Sequence, residues 1–111
     1  MRVSVVRGGG LAGLVETTTA DSERLSAGDA ALLRHKVDES GFFDLPGEVE
    51  RTAAPAGADR FHYAVTVEDA ERSHTVRCAE PDLPEVLGDL IDWVSSVPGA
   101  ETGLTPPGAG L

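Results

Sequence analysis

The sequence predicts an α+β domain of two β-hairpins, each followed by a helix (ββαββα), with a four-stranded antiparallel sheet and both helices on one face. Three observations carry this prediction. Strand-like apolar runs come in two close pairs, Arg2 to Val6 with Leu14 to Thr19, and Phe61 to Glu68 with His74 to Cys78. An amphipathic stretch with helix-start residues follows each pair. Short Gly- or turn-bearing segments separate the members of each pair, as hairpins require.

Taken in order, Val3, Val5 and Val6 form a β-branched run suited to a strand, and Leu14-Val15-Glu16-Thr17-Thr18-Thr19 is a second, half-polar one. The first helix should start at Ser26 as N-cap, with Asp29 three residues on in a near capping-box arrangement. Ala30, Leu33 and Val37 recur at helical spacing and should face the core. Gly41 suits the left-handed position past the helix end, with Phe42 packing back on Val37. From Glu48 to Ala58 the chain is poor in apolar bulk and reads as a loop.

Phe61, Tyr63, Val65 and Val67 then alternate with polar or small residues, the strongest strand signal in the chain. A turn at Asp69 to Arg72 leads to the partner strand through Val76 and Cys78. Asp82 and Glu85 bracket the start of the second helix as N-cap and third helical residue, with Pro84 tolerated in the first turn. Leu83, Leu87, Leu90, Val94 and Val97 trace its apolar face, with Val86 and Trp93 beside it. Residues 1–97 therefore read as one domain, and 98–111 as a Gly/Pro-rich disordered tail.

Composition narrows the function. With 111 residues, 41% apolar and 25% charged, the chain can build one modest core. Its formal net charge of -10 disfavours nucleic acid and anionic membrane surfaces as partners. The N-terminus is too short and too soon charged for a secretory signal, and no apolar run approaches a membrane span, so the expected location is cytoplasmic, export by another route aside.

Little chemistry is written in the chain. Cys78 is the single cysteine, so there is no internal disulfide and no thiolate cluster for a metal. A thiol enzyme would need a base beside it; His74 is four residues along the same strand face, roughly 13 Å away. His62 and His74 are placed to approach across the second hairpin, but His35, His62 and His74 lack metal-ligand spacing. Gly8-Gly9-Gly10 lacks the Lys-Ser/Thr of a phosphate loop and is followed by a strand, and it fails the dinucleotide spacing. The reading is a non-enzyme without cofactor or metal.

One stretch stands apart. Gly8, Gly9, Gly10 and Gly13 surround Leu11 and Ala12 in the connection between the first two strands. Glycines permit positive φ angles and close approach of the backbone to another surface, and a bulky apolar residue sits where a plain turn usually carries a polar one. Two readings remain: an ordinary Gly-rich hairpin turn with Leu11 packed inward, or a protruding contact loop with Leu11 outward.

The N-terminal strand ending in Arg7, followed by Gly9-Gly10-Leu11-Ala12-Gly13, resembles the opening of the emfourin family, the protealysin inhibitors. Asp59-Arg60-Phe61-x-Tyr63 with His74-Thr75-Val76, and Pro84 with the Leu87-to-Trp93 helix, resemble later parts of the same family, so the likeness spans residues 2 to about 97. The resemblance implies a proteinaceous inhibitor of a thermolysin-like, protealysin-type zinc metallopeptidase, with the zinc belonging to the peptidase. Such enzymes favour a bulky apolar side chain just after the scissile bond, which would suit Leu11. The implied contact residues are Gly8, Gly9, Gly10, Leu11, Ala12 and Gly13, with Asp59 and Arg60 as contributors, or else as a local structural ion pair. The alternative is a non-catalytic protein-binding module that keeps the fold without inhibiting a peptidase.

Overall fold

The computed structural model describes residues 1–9, 15–49, 61–70, 72–79 and 82–105. Its elements are β1 (Arg2–Gly9), β2 (Val15–Asp21), α1 (Ala27–Ser40), a short 3-10 turn (Phe42–Asp44), β3 (Glu48–Val49), β4 (Phe61–Asp69), β5 (Arg72–Ala79), α2 (Glu85–Ser96) and β6 (Glu101–Thr105). They form one sheet in the order β3-β5-β4-β1-β2-β6. All pairings are antiparallel except the two-residue β3, which runs parallel to β5.

The α+β class and the two helices agree with the sequence, but the four-stranded ββαββα plan is corrected. The sheet has five antiparallel strands and a short parallel sixth, because two stretches expected to be loop and tail contribute strands. Glu48–Val49, in the expected loop, pairs with Arg77 and Cys78. Glu101–Thr105, in the expected disordered tail, pairs with β2 from Thr19↔Glu101 to Val15↔Thr105. Neither stretch has the apolar alternation that marks a strand by itself; each is held by a backbone ladder on a neighbour already in place. The rest of the expected loop and residues 106–111 lie outside the described residues.

Alternation along the four inner strands explains the core. Val3 and Val5, Thr18 and Ala20, Val65 and Val67, and Val76 and Cys78 are buried on one face. Against them pack Ala30, Leu33 and Val37 of α1 and Leu87, Leu90, Ile91 and Val94 of α2, joined by Phe42 and Val97. The other face carries short side chains such as Ser4, Thr19, Ala64, Thr66 and Thr75, with Thr66 and Thr75 joined hydroxyl to hydroxyl at 2.8 Å. One covered face and one open face follow from that alternation.

Local chemistry sets the element ends. Ser26 Oγ accepts from the Asp29 amide at 3.2 Å, and Gly41 adopts φ 63° at the end of α1, both as predicted. At α2 the expectation is corrected: the N-cap is Pro84, without a side-chain cap bond, and Asp82 lies two residues earlier. Pro84 already has the extended φ and ψ that an N-cap needs, and Asp82 is itself buried at 5% exposure. After α1, Phe42 sinks fully into the core while His74 Nε2 bonds the Leu45 carbonyl at 2.7 Å. The Phe42 and His74 rings meet edge to face with centroids 5.5 Å apart, which fixes the 3-10 turn on β5.

Candidate functional site

The candidate contact residues are organised by strand register. The β1–β2 ladder runs from Arg2↔Asp21 to Arg7↔Glu16. The β1–β4 ladder continues two residues further, to Gly8↔His62 and Gly9↔Phe61. Gly8 and Gly9 are thus strand residues, which moves the expected loop boundary past Val6 and Arg7. They extend because β4 is the strongest strand in the chain and offers partners as far as Phe61. The signal missed in the sequence was β4's length, since a glycine pair read by itself suggests a turn.

β1 ends at Gly9 and β2 begins at Val15, which pairs with Thr105. Gly10, Leu11, Ala12 and Gly13 lie outside the described residues, as do Asp59 and Arg60. Their anchors do not. Phe61, the residue that Asp59 and Arg60 lead into, is directly opposite Gly9. His62 is opposite Ala79, and Val49 opposite Cys78. Gly9, Val15, Val49, Phe61, Ala79 and Thr105 therefore share one end of the sheet. Adjacent strands are about 4.8 Å apart, so the two candidate segments, distant in sequence, are rooted side by side.

Gly8 has no steric reason within the described fold to be glycine. A Cβ built there would meet only Val15 Cγ2, at 3.8 Å, and its φ is not in the left-handed region. Gly99 differs: its φ is 95°, and a Cβ would come within 3.2 Å of the Arg24 carbonyl oxygen and of Leu25 Cδ2. Glycine at 99 shapes the turn into β6. Glycine at 8 leaves a strand backbone bare on the open face, where another surface can approach it closely.

Arg7 and Glu16, the last register pair of the β1–β2 ladder, form an ion pair at 3.9 Å. The sequence held a signal for it, a basic residue at one end of the glycine stretch and an acidic one after it. The net acidity hid that signal, because acidic residues are plentiful everywhere in the chain.

The groups weighed for chemistry are dispersed. Cys78 is buried, and burial, with Asp82 adding to it, pushes its thiol pKa up, away from reactive thiolate. His62 and His74 do not meet across the hairpin: His62 is opposite Ala79 and His74 opposite Val67, with side chains on opposite faces. Two-residue alternation and an antiparallel register cause that separation. His35 instead pairs with Glu39 at 3.0 Å along α1. Among the described residues no group of three or more His, Cys, Asp or Glu could hold a metal ion. No helix among them is long and apolar enough to cross a membrane.

Compared with known proteins, the chain matches the family model described as Emfourin over residues 5–95, which covers most of its length. No curated protein and no solved structure matches it.

Proposed function

Because the chain belongs to the Emfourin family, which points to a metallopeptidase-inhibitor role and a peptidase partner, we propose that it inhibits a thermolysin-like, protealysin-type zinc metallopeptidase. In this reading the loop end of the sheet enters or covers the active-site cleft. Leu11 fills the apolar pocket that accepts the residue after the scissile bond, and the glycines admit the backbone to the cleft. Asp59 and Arg60 add contacts beside it. The chain supplies no metal ligand, since the zinc belongs to the peptidase.

The observation that supports this most is the register Gly9↔Phe61. Gly9 and Phe61, the described residues that adjoin the two family-like segments, sit side by side at one end of the sheet, which suits one partner surface reaching both. The sheet supplies a fixed base for the contact, and a pre-set base lowers the ordering cost of binding.

The test is a titration of the chain into a purified thermolysin-like peptidase with a short fluorogenic substrate. Saturable loss of peptidase activity at stoichiometric concentrations supports the proposal. Full activity with several such enzymes would leave the other reading, a protein-binding module of the same fold.

A further inference from the structure

We propose that the valley between α1 and α2, on the outer surface of the helix layer, is a docking surface for a polypeptide segment that carries an apolar side chain beside an Arg or Lys. The inference goes beyond the inhibitor reading and uses none of its residues. A groove of about 300 Å³ runs between the two helices. Lys36 and Glu39 of α1 line one side, and Val86, Asp89, Leu90 and Asp92 of α2 the other. Leu90 is buried at the floor, whereas Val86 keeps 46% of its surface exposed. Among the described residues, the large apolar side chains left exposed are Val86 and Leu32, the latter at 44%. One such residue alone is ordinary on a protein surface. Leu32, however, stands one helical turn before Lys36 and so extends that side of the same groove.

The charge of this surface is lopsided. Glu39 pairs with His35 at 3.0 Å, and Lys36 Nζ sits over the Trp93 ring, 5.8 Å from its centroid. Asp89 and Asp92 are exposed and take part in no ion pair among the described residues. With Glu85 they are the charged residues of α2, which has no basic residue to offset them. Glu85 and Asp89, and Asp89 and Asp92, are neighbours along the helix surface, and like charges at those spacings destabilise a helix. A cation from a partner meets the two carboxylates and relieves that repulsion, while an apolar side chain beside it covers Val86. Apolar contact joined to opposite charge selects a basic, partly apolar segment over an acidic or purely polar one.

The test is a chemical-shift titration of the full chain with a short amidated Ala-based peptide carrying Leu and Arg at i, i+4 spacing. Two counterpart peptides, Glu for Arg and Ala for Leu, are titrated beside it. Saturable shifts centred on Lys36, Val86, Asp89 and Leu90 are expected with the Leu–Arg peptide. The Ala-for-Leu peptide should bind at least about threefold more weakly and the Glu peptide not at all. Val86→Ser and Asp89→Asn should each weaken binding roughly three- to tenfold. Asp89→Asn should also melt at or above the parent's temperature, because a like-charge contact is lost. Glu68→Gln removes the same charge from the open face of the sheet and should leave binding unchanged. Shifts spread over both faces, equal weakening by Glu68→Gln, or equal binding of the three peptides mean attraction to net charge alone and overturn the proposal. Full binding by Val86→Ser overturns it too, as does a lack of saturable shifts with the Leu–Arg peptide. None of these readouts involves a peptidase, so failure of the inhibitor reading leaves them intact.

Discussion

Gly9 lies directly opposite Phe61, on adjacent strands β1 and β4, although about half the chain separates them. This pairing brings the end of β1 and the start of β4 together at one end of the sheet. It also holds Gly8 and Gly9 in a strand ladder, opposite His62 and Phe61.

Gly8→Ala should leave the fold intact. The new Cβ meets only Val15 Cγ2, at 3.8 Å, with no positive φ to oppose it. Removing a strand glycine is expected to stabilise by about 0.5–1 kcal/mol, read as a small rise in denaturant midpoint. Weaker inhibition by this equally or more stable variant would mark the bare backbone as part of the contact surface.

Gly99→Ala should do the opposite. At φ 95°, with contacts of 3.2 Å to the Arg24 carbonyl and Leu25, alanine meets both backbone strain and a clash. A loss of about 1–3 kcal/mol is expected. Hydrogen exchange should rise first in Glu101–Thr105, because the turn at Gly99 delivers that strand to β2.

His74→Ala removes the bond to the Leu45 carbonyl and the edge-to-face contact with Phe42. The expected loss is about 1–3 kcal/mol, measured by urea unfolding. The anchored turn from Phe42 to Leu45 should exchange faster, while peptidase inhibition changes little.

Among the described residues, Cys78 and Asp21 contribute to the pH dependence of stability in opposite directions. The Cys78 thiol is raised, chiefly by burial and secondly by Asp82, so the folded state holds its proton longer than the unfolded chain. Its contribution is complete below the unfolded thiol pKa and is lost as pH rises through the folded one. Asp21 is lowered, first by the hydrogen bond from the Glu23 amide at 3.0 Å, with Arg2 assisting against desolvation. Its contribution is present above the unfolded carboxyl pKa and is lost as pH falls through the folded one. Cys78→Ala should therefore flatten the alkaline limb of a stability–pH curve, and Asp21→Asn the acid limb.

The sequence exposes those parts of the fold whose information is local. Ser26 and Gly41 mark the ends of α1 by their own chemistry, and Val65, Val67 and Val76 declare a buried face by alternation. β6 was hidden because Glu101-Thr102-Gly103-Leu104-Thr105 is a strand only beside β2, where Thr18 and Thr102 bring their hydroxyls to 3.4 Å and Glu101 pairs with Arg24. β3 was hidden for the same reason. At the candidate site, the residue types at 8–13 were legible, but the meeting of Gly9 and Phe61 was not. Register between distant strands is a property of the assembled sheet, and no local pattern encodes it.

The most direct measurement of the central claim is the inhibition constant of Leu11→Ala beside that of the parent chain, against one thermolysin-like peptidase, with melting curves for both. Inhibition should weaken about tenfold or more, the scale of losing a central apolar anchor, with an unchanged melting temperature. Parental inhibition by the folded variant would contradict the placement of the contact at Leu11 and shift it to the neighbouring segment at Asp59 and Arg60.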